Sequence, residues 1–280
     1  MPSELNSSLY NKVIIVISAI VVLMAVGNIF NWQHMRSEPQ RAGVSGFGLR
    51  SYNLEENIVD YMRTEFQACL AKQSFGWRSP CYQELAVLLI KQFGLRGSLK
   101  ALAGVQLERG IAEQCHALVH FLAQEEYKKN RSLPEVFKQC QIVCGEGCYH
   151  GAVERYFVDK KLSGASEAEL RDAIKNVCDP VATGPLSIYG NCTHGIGHAF
   201  MLITDYDLPQ TLKFCDNIVK GRENCYTGAL MENVFAVSDH GYISRFIDMN
   251  DPTYPCTILE SRYKESCYSS QMSFVLSQTN

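Results

Sequence analysis

The spacing of the cysteines constrains the fold of this chain more than any other sequence feature. The chain has 12 cysteines in 280 residues, and an even number at this density is typical of disulfide bonds formed in an oxidising compartment. Most of the cysteines fall into neighbouring pairs, which leaves Cys115 to pair with Cys144. The predicted disulfide bonds are Cys69–Cys81, Cys115–Cys144, Cys140–Cys148, Cys178–Cys192, Cys215–Cys225 and Cys256–Cys267.

Metal-binding cysteines are the weaker interpretation of the same residues. No CxxC spacing occurs in the chain, so a zinc-ribbon pattern is missing, and the haem-attachment motif CxxCH is absent as well. We therefore expect most of the cysteines to form structural disulfides. Histidine and carboxylate side chains are then the metal ligands that remain available.

A cysteine at the start of a predicted helix recurs along the chain. These cysteines stand at positions 81, 115, 148, 192, 225 and 267, at intervals of 33 to 44 residues. Repeats of this size are typical of stacked helical hairpins. The sequence therefore predicts an all-α fold of disulfide-stapled helical-hairpin repeats, similar to an α-solenoid or α-toroid, behind a single N-terminal transmembrane helix.

Apolar periodicity and helix-start signals give approximate bounds for the helices. The first two are predicted at 54–72 and 81–93, with a turn from Ser74 to Pro80 between them and Gly94 at the end of the second. Capping boxes, which satisfy the free backbone N–H groups of a helix start, are predicted at 132–135 and 166–169. Further helices are expected to begin at Ile111 and Asp207.

Residues 13–30 form an uncharged apolar run of 18 residues. A helix of that length, rising 1.5 Å per residue, just spans a bilayer. The sequence predicts a short cytoplasmic N-terminus at 1–12, a transmembrane signal anchor at 13–30, a polar linker at 31–52 and a Cys/His-rich α-helical repeat domain at 53–280. A cleaved signal peptide is the alternative, and both interpretations place the domain outside the cytoplasm, in the periplasm or extracellular space.

The charge balance bears on the partners of the chain. A net charge of −3 and a pI of about 6.2 provide no basic surface for nucleic acid. The predicted partner is the membrane, contacted through one N-terminal helix. The sequence identifies no protein or small-molecule partner.

Histidines follow three of the recurring cysteines. The most complete motif is Cys192-Thr193-His194-Gly195-Ile196-Gly197-His198, in which two histidines four residues apart lie on one face of a helix. In the altered copy after Cys148, the corresponding positions carry His150 and Glu154. A third pair, His116 and His120, follows Cys115, and the copy after Cys225 has Met231 and Glu232.

These i,i+4 pairs predict a metal site shared by several helices. Neutral imidazole and carboxylate groups suit copper, zinc or iron, and histidines outnumber carboxylates, which favours copper, zinc or a mixed site over standard di-iron chemistry. The predicted metal ligands are His116, His120, His150, Glu154, His194 and His198. The alternative is a set of buried histidines that are hydrogen-bonded to the repeat framework.

Three glycines share one position in the repeat, three residues after the cysteine, at 151, 195 and 228. Glycine inside a helix is destabilising by about 1 kcal/mol relative to alanine. Close helix–helix contact is the expected reason for these glycines, and clearance for a metal or a neighbouring histidine is the alternative.

Two functions are compatible with these patterns. The first is a membrane-anchored extracytoplasmic metalloprotein with a His/Glu metal site, acting as a metal-dependent oxidoreductase or hydrolase. The second is a non-enzymatic, disulfide-stabilised helical repeat scaffold for protein–protein interaction. The sequence does not decide between enzyme and scaffold, and it identifies no catalytic residue. The first function predicts that the histidines converge, and the second predicts that they are dispersed.

Overall fold

Helices make up the regular structure of the part of the chain that this computed structural model describes. That part comprises residues 58–72, 75–160, 162, 164–182, 184–240 and 244–278. It belongs to one unit that extends from residue 53 to residue 280. The predicted cytoplasmic N-terminus, transmembrane segment and linker lie outside the described residues.

The described helices follow one another with short connections. A 3-10 turn at Cys144–Glu146 precedes the fifth helix, and another at Asp179–Val181 follows the sixth. The α-helices are α1 (Ile58–Leu70), α2 (Phe75–Ala103), α3 (Ile111–Asn130), α4 (Leu133–Phe137), α5 (Gly147–Asp159), α6 (Glu167–Cys178), α7 (Leu186–Ile203), α8 (Leu208–Cys215), α9 (Arg222–His240) and α10 (Ser261–Gln278).

Helix α2 differs from its prediction at its start. The predicted turn before Cys81 is helical from Phe75 onward, so Pro80 lies inside the helix rather than in a loop. At the predicted end, Gly94 leaves the helical conformation, with a φ of 65° and a ψ of 174°, and a further helical stretch follows it as far as Ala103. Glycine adopts such a conformation at little cost, so α2 is interrupted at the residue that was predicted to end it.

The capping signals have different outcomes. At the start of α6, Ser166 and Glu169 form both hydrogen bonds of the predicted capping box. Asp207 caps α8 by accepting a hydrogen bond from the backbone N–H of Gln210. Ser132 precedes α4 but makes no side-chain cap, so the capping box predicted there is wrong and the start of α4 depends on Pro134 and on burial of Leu133.

Six disulfide bonds connect the helices, and they are the six pairs predicted from the spacing. Their Cα–Cα distances lie between 5.5 and 5.7 Å, within the usual range for a disulfide. Four of them connect a cysteine at or just past the end of one helix to a cysteine inside the next long helix: Cys69–Cys81, Cys140–Cys148, Cys178–Cys192 and Cys215–Cys225. Each of these disulfides closes a short loop and stabilises the fold by about 2–3 kcal/mol in the chain-entropy model.

The long helices contact one another in chain order. Helix α2 contacts α3, α3 contacts α5, α5 contacts α7, and α7 contacts α9, while α9 also contacts α2. A buried apolar core lies along these contacts; Phe157 of α5 and Phe200 of α7, for example, meet edge to face at 5.7 Å between ring centroids. The starts of α3, α5, α7 and α9 are thereby brought side by side.

Between residues 58 and 278, no described helix combines the length and the apolar character needed to cross a bilayer.

Candidate metal centre

Five of the six predicted metal ligands are histidines, and their rings lie next to one another. The ring centroid of His150 lies 5.5 Å from that of His116 and 4.5 Å from that of His194. The rings of His120 and His198 are 5.3 Å apart. Helices α3, α5 and α7 therefore direct their i,i+4 pairs into a shared interior.

Glycine at the third position after each cysteine allows this close approach. A Cβ atom at Gly151 would overlap the backbone carbonyl oxygen of His120, and one at Gly195 would lie 3.0 Å from the Cα of His150. Real Cβ atoms hardly ever make such contacts with backbone. Both explanations given for these glycines therefore hold together, because the neighbour that each glycine accommodates is the backbone of a histidine.

The deepest part of the cluster is closed to solvent. His120, His150 and His198 are at most 3% exposed, and Glu154 is fully buried. His116 and His194 keep a partly exposed surface. The Nε2 atom of His194 is nevertheless buried.

Two histidines have their Nδ1 atoms fixed by uncharged acceptors. The Nδ1 atom of His116 lies 2.7 Å from the carbonyl oxygen of Cys144, which accepts its proton. The Nδ1 atom of His194 lies 3.1 Å from the hydroxyl oxygen of Thr227. Because that hydroxyl donates its own proton to the carbonyl of Asn224, it accepts from His194. Each ring therefore carries its proton on Nδ1 and a lone pair on Nε2.

Two further histidines are backed by buried carboxylates. The Nδ1 atom of His198 lies 2.8 Å from Oε2 of Glu232, and Tyr206 donates its hydroxyl to the other oxygen of that carboxylate. The Nδ1 atom of His120 lies 2.9 Å from Oε1 of Glu154, whose second oxygen accepts from Gln124. The hydrogen bond to Glu232 leaves the Nε2 lone pair of His198 facing away from that acid. The contact between His120 and Glu154 has ion-pair distance without hydrogen-bond geometry, so it places the acid beside the ring without fixing which nitrogen carries the proton.

The ring nitrogens that point into the cluster are poorly satisfied. The Nε2 atoms of His194 and His198 have no hydrogen-bond partner among the described residues, and neither ring nitrogen of His150 has one. The Nε2 atoms of His116 and His120 face each other at 2.9 Å. Buried polar groups are normally paired, so such a collection is typical of a site that binds a ligand.

Burial keeps these imidazoles neutral. Removal from water, reinforced by the neighbouring ring of His120, lowers the pKa of His116 to about 3 and that of His194 to about 4. Burial and the surrounding histidines also hold the pKa of His150 and of His198 well below the usual value, although the nearby Asn191 side chain opposes this effect at His150. Neutral imidazole is the form that binds metals.

The ligand atoms fall into three groups of three. In each group, all ligand atoms lie within 4.8 Å of one another. The first two consist of histidines only and have His150 in common, and the third contains the carboxylate. The groups are His116, His120 and His150; His150, His194 and His198; and His120, Glu154 and His198.

Several supporting residues carried no clear sequence signal. Glu232 follows Cys225 by seven residues rather than six, so the pattern offered Met231 and Glu232 together; Glu232 is fully buried against the site. Thr227 occupies the position that histidine takes in the other copies, and this correspondence could have identified it. Nothing in the sequence pattern indicates Tyr206 or the carbonyl of Cys144.

The side chains of the remaining two histidines lie outside the described structure. His34 is not among the described residues, and only the backbone of His240, at the end of α9, is described.

Comparison with models of known protein families finds no match, and searches of curated proteins and of solved structures find none either.

Proposed function

We propose that this protein is a membrane-anchored, extracytoplasmic metalloprotein whose buried histidine cluster binds a transition metal. One observation carries the proposal: three histidines from two helices have Nδ1 hydrogen-bonded to a protein acceptor, a fourth, His120, has Nδ1 beside a carboxylate, and all four lie around a common interior. Metal-binding histidines usually donate their second ring proton to a carbonyl or carboxylate, which fixes the tautomer and the ring orientation. Hydrogen-bonded core histidines would instead satisfy both nitrogens.

The donor set favours copper or zinc, with iron as the third candidate. Imidazole nitrogen suits all three metals. The oxidised cysteines contribute no thiolate, and Glu154 and Glu232 contact the histidines from behind. In this assignment Glu154 orients His120 and supplies negative charge instead of serving as a direct ligand.

The low pKa values make the site ready for metal at neutral pH. A protonated imidazole must lose its proton before it binds a metal, so affinity normally falls as pH decreases. With the pKa of His116 at about 3 and that of His194 at about 4, no proton competes for these nitrogens above about pH 5.

The partly exposed side of the cluster supports an enzymatic role. A small molecule could approach the metal beside His116 and His194, while the interior ligands stay dry. There, zinc would supply Lewis-acid activation of water, as in a hydrolase, and copper would supply redox chemistry, as in an oxidoreductase. Convergence of the histidines also favours the metalloprotein over the scaffold, for which dispersed histidines were expected.

Metal analysis of the full chain, purified in detergent without a histidine tag, tests the proposal. We expect bound copper, zinc or iron, and loss of it in His120→Ala/His198→Ala. His240→Ala is the matched control, since it removes a histidine outside the three ligand groups, and it should keep the metal. A folded protein that takes up none of the three metals when each is offered would refute the proposal.

The membrane anchor and compartment form a separate part of the proposal. The apolar run at 13–30 and the pairing of all 12 cysteines into disulfides support it. Thiol labelling of intact cells with and without reductant is the test. We expect labelling of the domain only after reduction, and ready labelling from the cytoplasmic side without reductant would contradict this topology.

We further propose that α3, α5, α7 and α9 are copies of one helical repeat. The equivalent contacts made by Gly151, Gly195 and Gly228, each against the backbone of a residue on the preceding helix, support this relation. The cysteine at each helix start supports it as well.

A further inference from the structure

We propose that the five histidines form a dinuclear centre, in which two metal ions are bridged by the imidazole of His150. This inference rests on the proposed metal-binding function and adds a second metal site to it. One ion would be bound by His116 and His120, the other by His194 and His198, and each would take one nitrogen of the shared ring.

The grouping of the ligand atoms gives the first argument. His116 and His194 belong to different triads, and His150 is the one residue common to both all-histidine triads. The His150 ring contacts both pairs, with centroid distances of 5.5 and 5.4 Å to the α3 pair and 4.5 and 5.4 Å to the α7 pair, while the two pairs also meet each other at His120 and His198. If only one ion were bound, one of the two i,i+4 histidine pairs would bind no metal.

The state of the His150 ring gives the second argument. Three of the other histidines have Nδ1 hydrogen-bonded to a protein acceptor, and Nδ1 of His120 lies beside the Glu154 carboxylate, so each has one ring nitrogen directed away from its acceptor. His150 is buried, and within the described structure neither of its nitrogens makes a hydrogen bond of good geometry, although the Asn191 side chain lies nearby. A ring that uses both nitrogens as ligands would satisfy both of them at once.

The geometry of the α3 pair gives the third argument. The Nε2 atoms of His116 and His120 are 2.9 Å apart. With metal–nitrogen bonds of 2.0–2.1 Å, two ligands of one ion that subtend about 90–110° at the metal are about 2.9–3.4 Å apart. The Nε2–Nε2 distance of this pair is therefore the distance expected between two ligands of one metal ion.

Charge balance gives the fourth argument. Buried charge is costly unless opposite charge lies close by. Each triad has its own buried carboxylate behind a ligand: Glu154 behind His120 and Glu232 behind His198. The bridging ring becomes an imidazolate when the second ion replaces its N–H proton. The four positive charges of two divalent ions would then be reduced to a net charge of +1 by three negative charges, and one proton would leave for solvent.

Copper(II) titration of the full-length, metal-free chain tests this inference. We expect two tightly bound equivalents and a magnetically coupled pair in the electron paramagnetic resonance spectrum, with release of one proton per chain on the second equivalent. His150→Ala, checked for helix content, should lose the magnetic coupling or the second ion. Glu154→Gln should still bind two ions, but about 10–100-fold more weakly, because the carboxylate lies behind His120 and supports it without binding a metal itself.

The outcomes separate this inference from the proposed function. Tight binding of one equivalent only would overturn the dinuclear centre and leave the metalloprotein standing. If Glu154→Gln then loses that single ion, the ion is held by His120, Glu154 and His198. Two uncoupled ions without proton release would overturn the bridge, a result that does not depend on whether His150→Ala folds. No binding at all would overturn both proposals.

Discussion

Helices α7 and α9 begin with related motifs but serve the cluster in different ways. After Cys192, helix α7 carries histidines at the second and sixth positions, and both rings point into the cluster. After Cys225, helix α9 has Thr227 at the second position and Glu232 at the seventh. These two side chains accept the Nδ1 protons of the two α7 histidines.

Helices α7 and α9 contact their preceding helices in the same way, although their side chains have different roles in the cluster. Gly195 of α7 lies against the backbone of His150, and Gly228 of α9 lies against the backbone of His194. Close contact between consecutive helices therefore needs the glycine and not the histidine. The comparison teaches that one motif position can supply either a ligand or the acceptor that orients a ligand on the preceding helix.

The largest expected effect comes from removing the α7 ligands. His194→Ala/His198→Ala should weaken metal binding more than about 100-fold, which exceeds the effect of losing a supporting hydrogen bond. The six disulfides and the apolar core should keep the helical fold, so circular dichroism should change little. Competition with a chelator measures the affinity, and wild-type affinity in the variant would show that α7 does not hold the metal.

Low pH should destabilise the metal-free protein, because the buried histidines have lower pKa values in the folded chain than in the unfolded chain. Below about pH 6.5 the unfolded chain takes up protons on its histidines, whereas folded His116 and His194 do so only near pH 3 and 4. Stability therefore falls as pH decreases through 6.5, by about 2 kcal/mol per histidine at pH 5, and the loss ends near the folded pKa values.

Denaturant unfolding between pH 7 and 5 measures this effect. His194→Asn replaces a titrating residue of α7 by a polar residue that does not titrate. Helix α9 already has a polar residue that does not titrate, Thr227, at the equivalent position. The dependence of stability on pH should then be shallower, and an unchanged slope would contradict the assignment.

Glu232→Gln tests the support that α9 gives to His198. Loss of the carboxylate should lower metal affinity about 10–100-fold, since a charged acceptor both orients the ring and raises its basicity. Glu223→Gln is the matched control on the same helix, because Glu223 is exposed and should leave affinity unchanged. Equal affinities in the two variants would remove Glu232 from the site.

Gly228→Ala tests the helix contact that α7 and α9 share with the other copies. The new Cβ would overlap the carbonyl oxygen of His194, so we expect destabilisation by about 1–3 kcal/mol. Gly190→Ala in α7 is the control, because its nearest new contact is the Asn224 side-chain nitrogen at 3.4 Å. That variant should be neutral or slightly stabilised. Similar thermal unfolding midpoints for both variants would argue against close contact.

The smallest expected effect concerns the hydroxyl of Thr227. Thr227→Val keeps the shape but leaves His194 Nδ1 without an acceptor, which should weaken metal binding by at most about tenfold, the equivalent of one neutral hydrogen bond. Thr227→Ser should restore it, since the hydroxyl returns. Failure of serine to restore binding would indicate that threonine acts through its methyl group.

Local signals made much of the fold predictable. The helical class and the six cysteine pairs follow from spacing, since a disulfide between consecutive helices needs only a short loop. Errors occurred where tertiary context overrides local preference. Phe75 to Pro80 is helical despite its turn signals, and Ser132 makes no cap.

The sequence by itself determined which residue types form the cluster and that each pair shares one helix face, because 3.6 residues per turn fix the direction of positions i and i+4. Only the tertiary structure decided that three helix starts meet, since convergence depends on how glycine lets one backbone contact the next. It also decided which nitrogen of each ring faces inward. Acceptors such as Cys144 carbonyl, Glu154, Thr227 and Glu232 are distant in sequence from the rings they hold, so no local pattern could assign them.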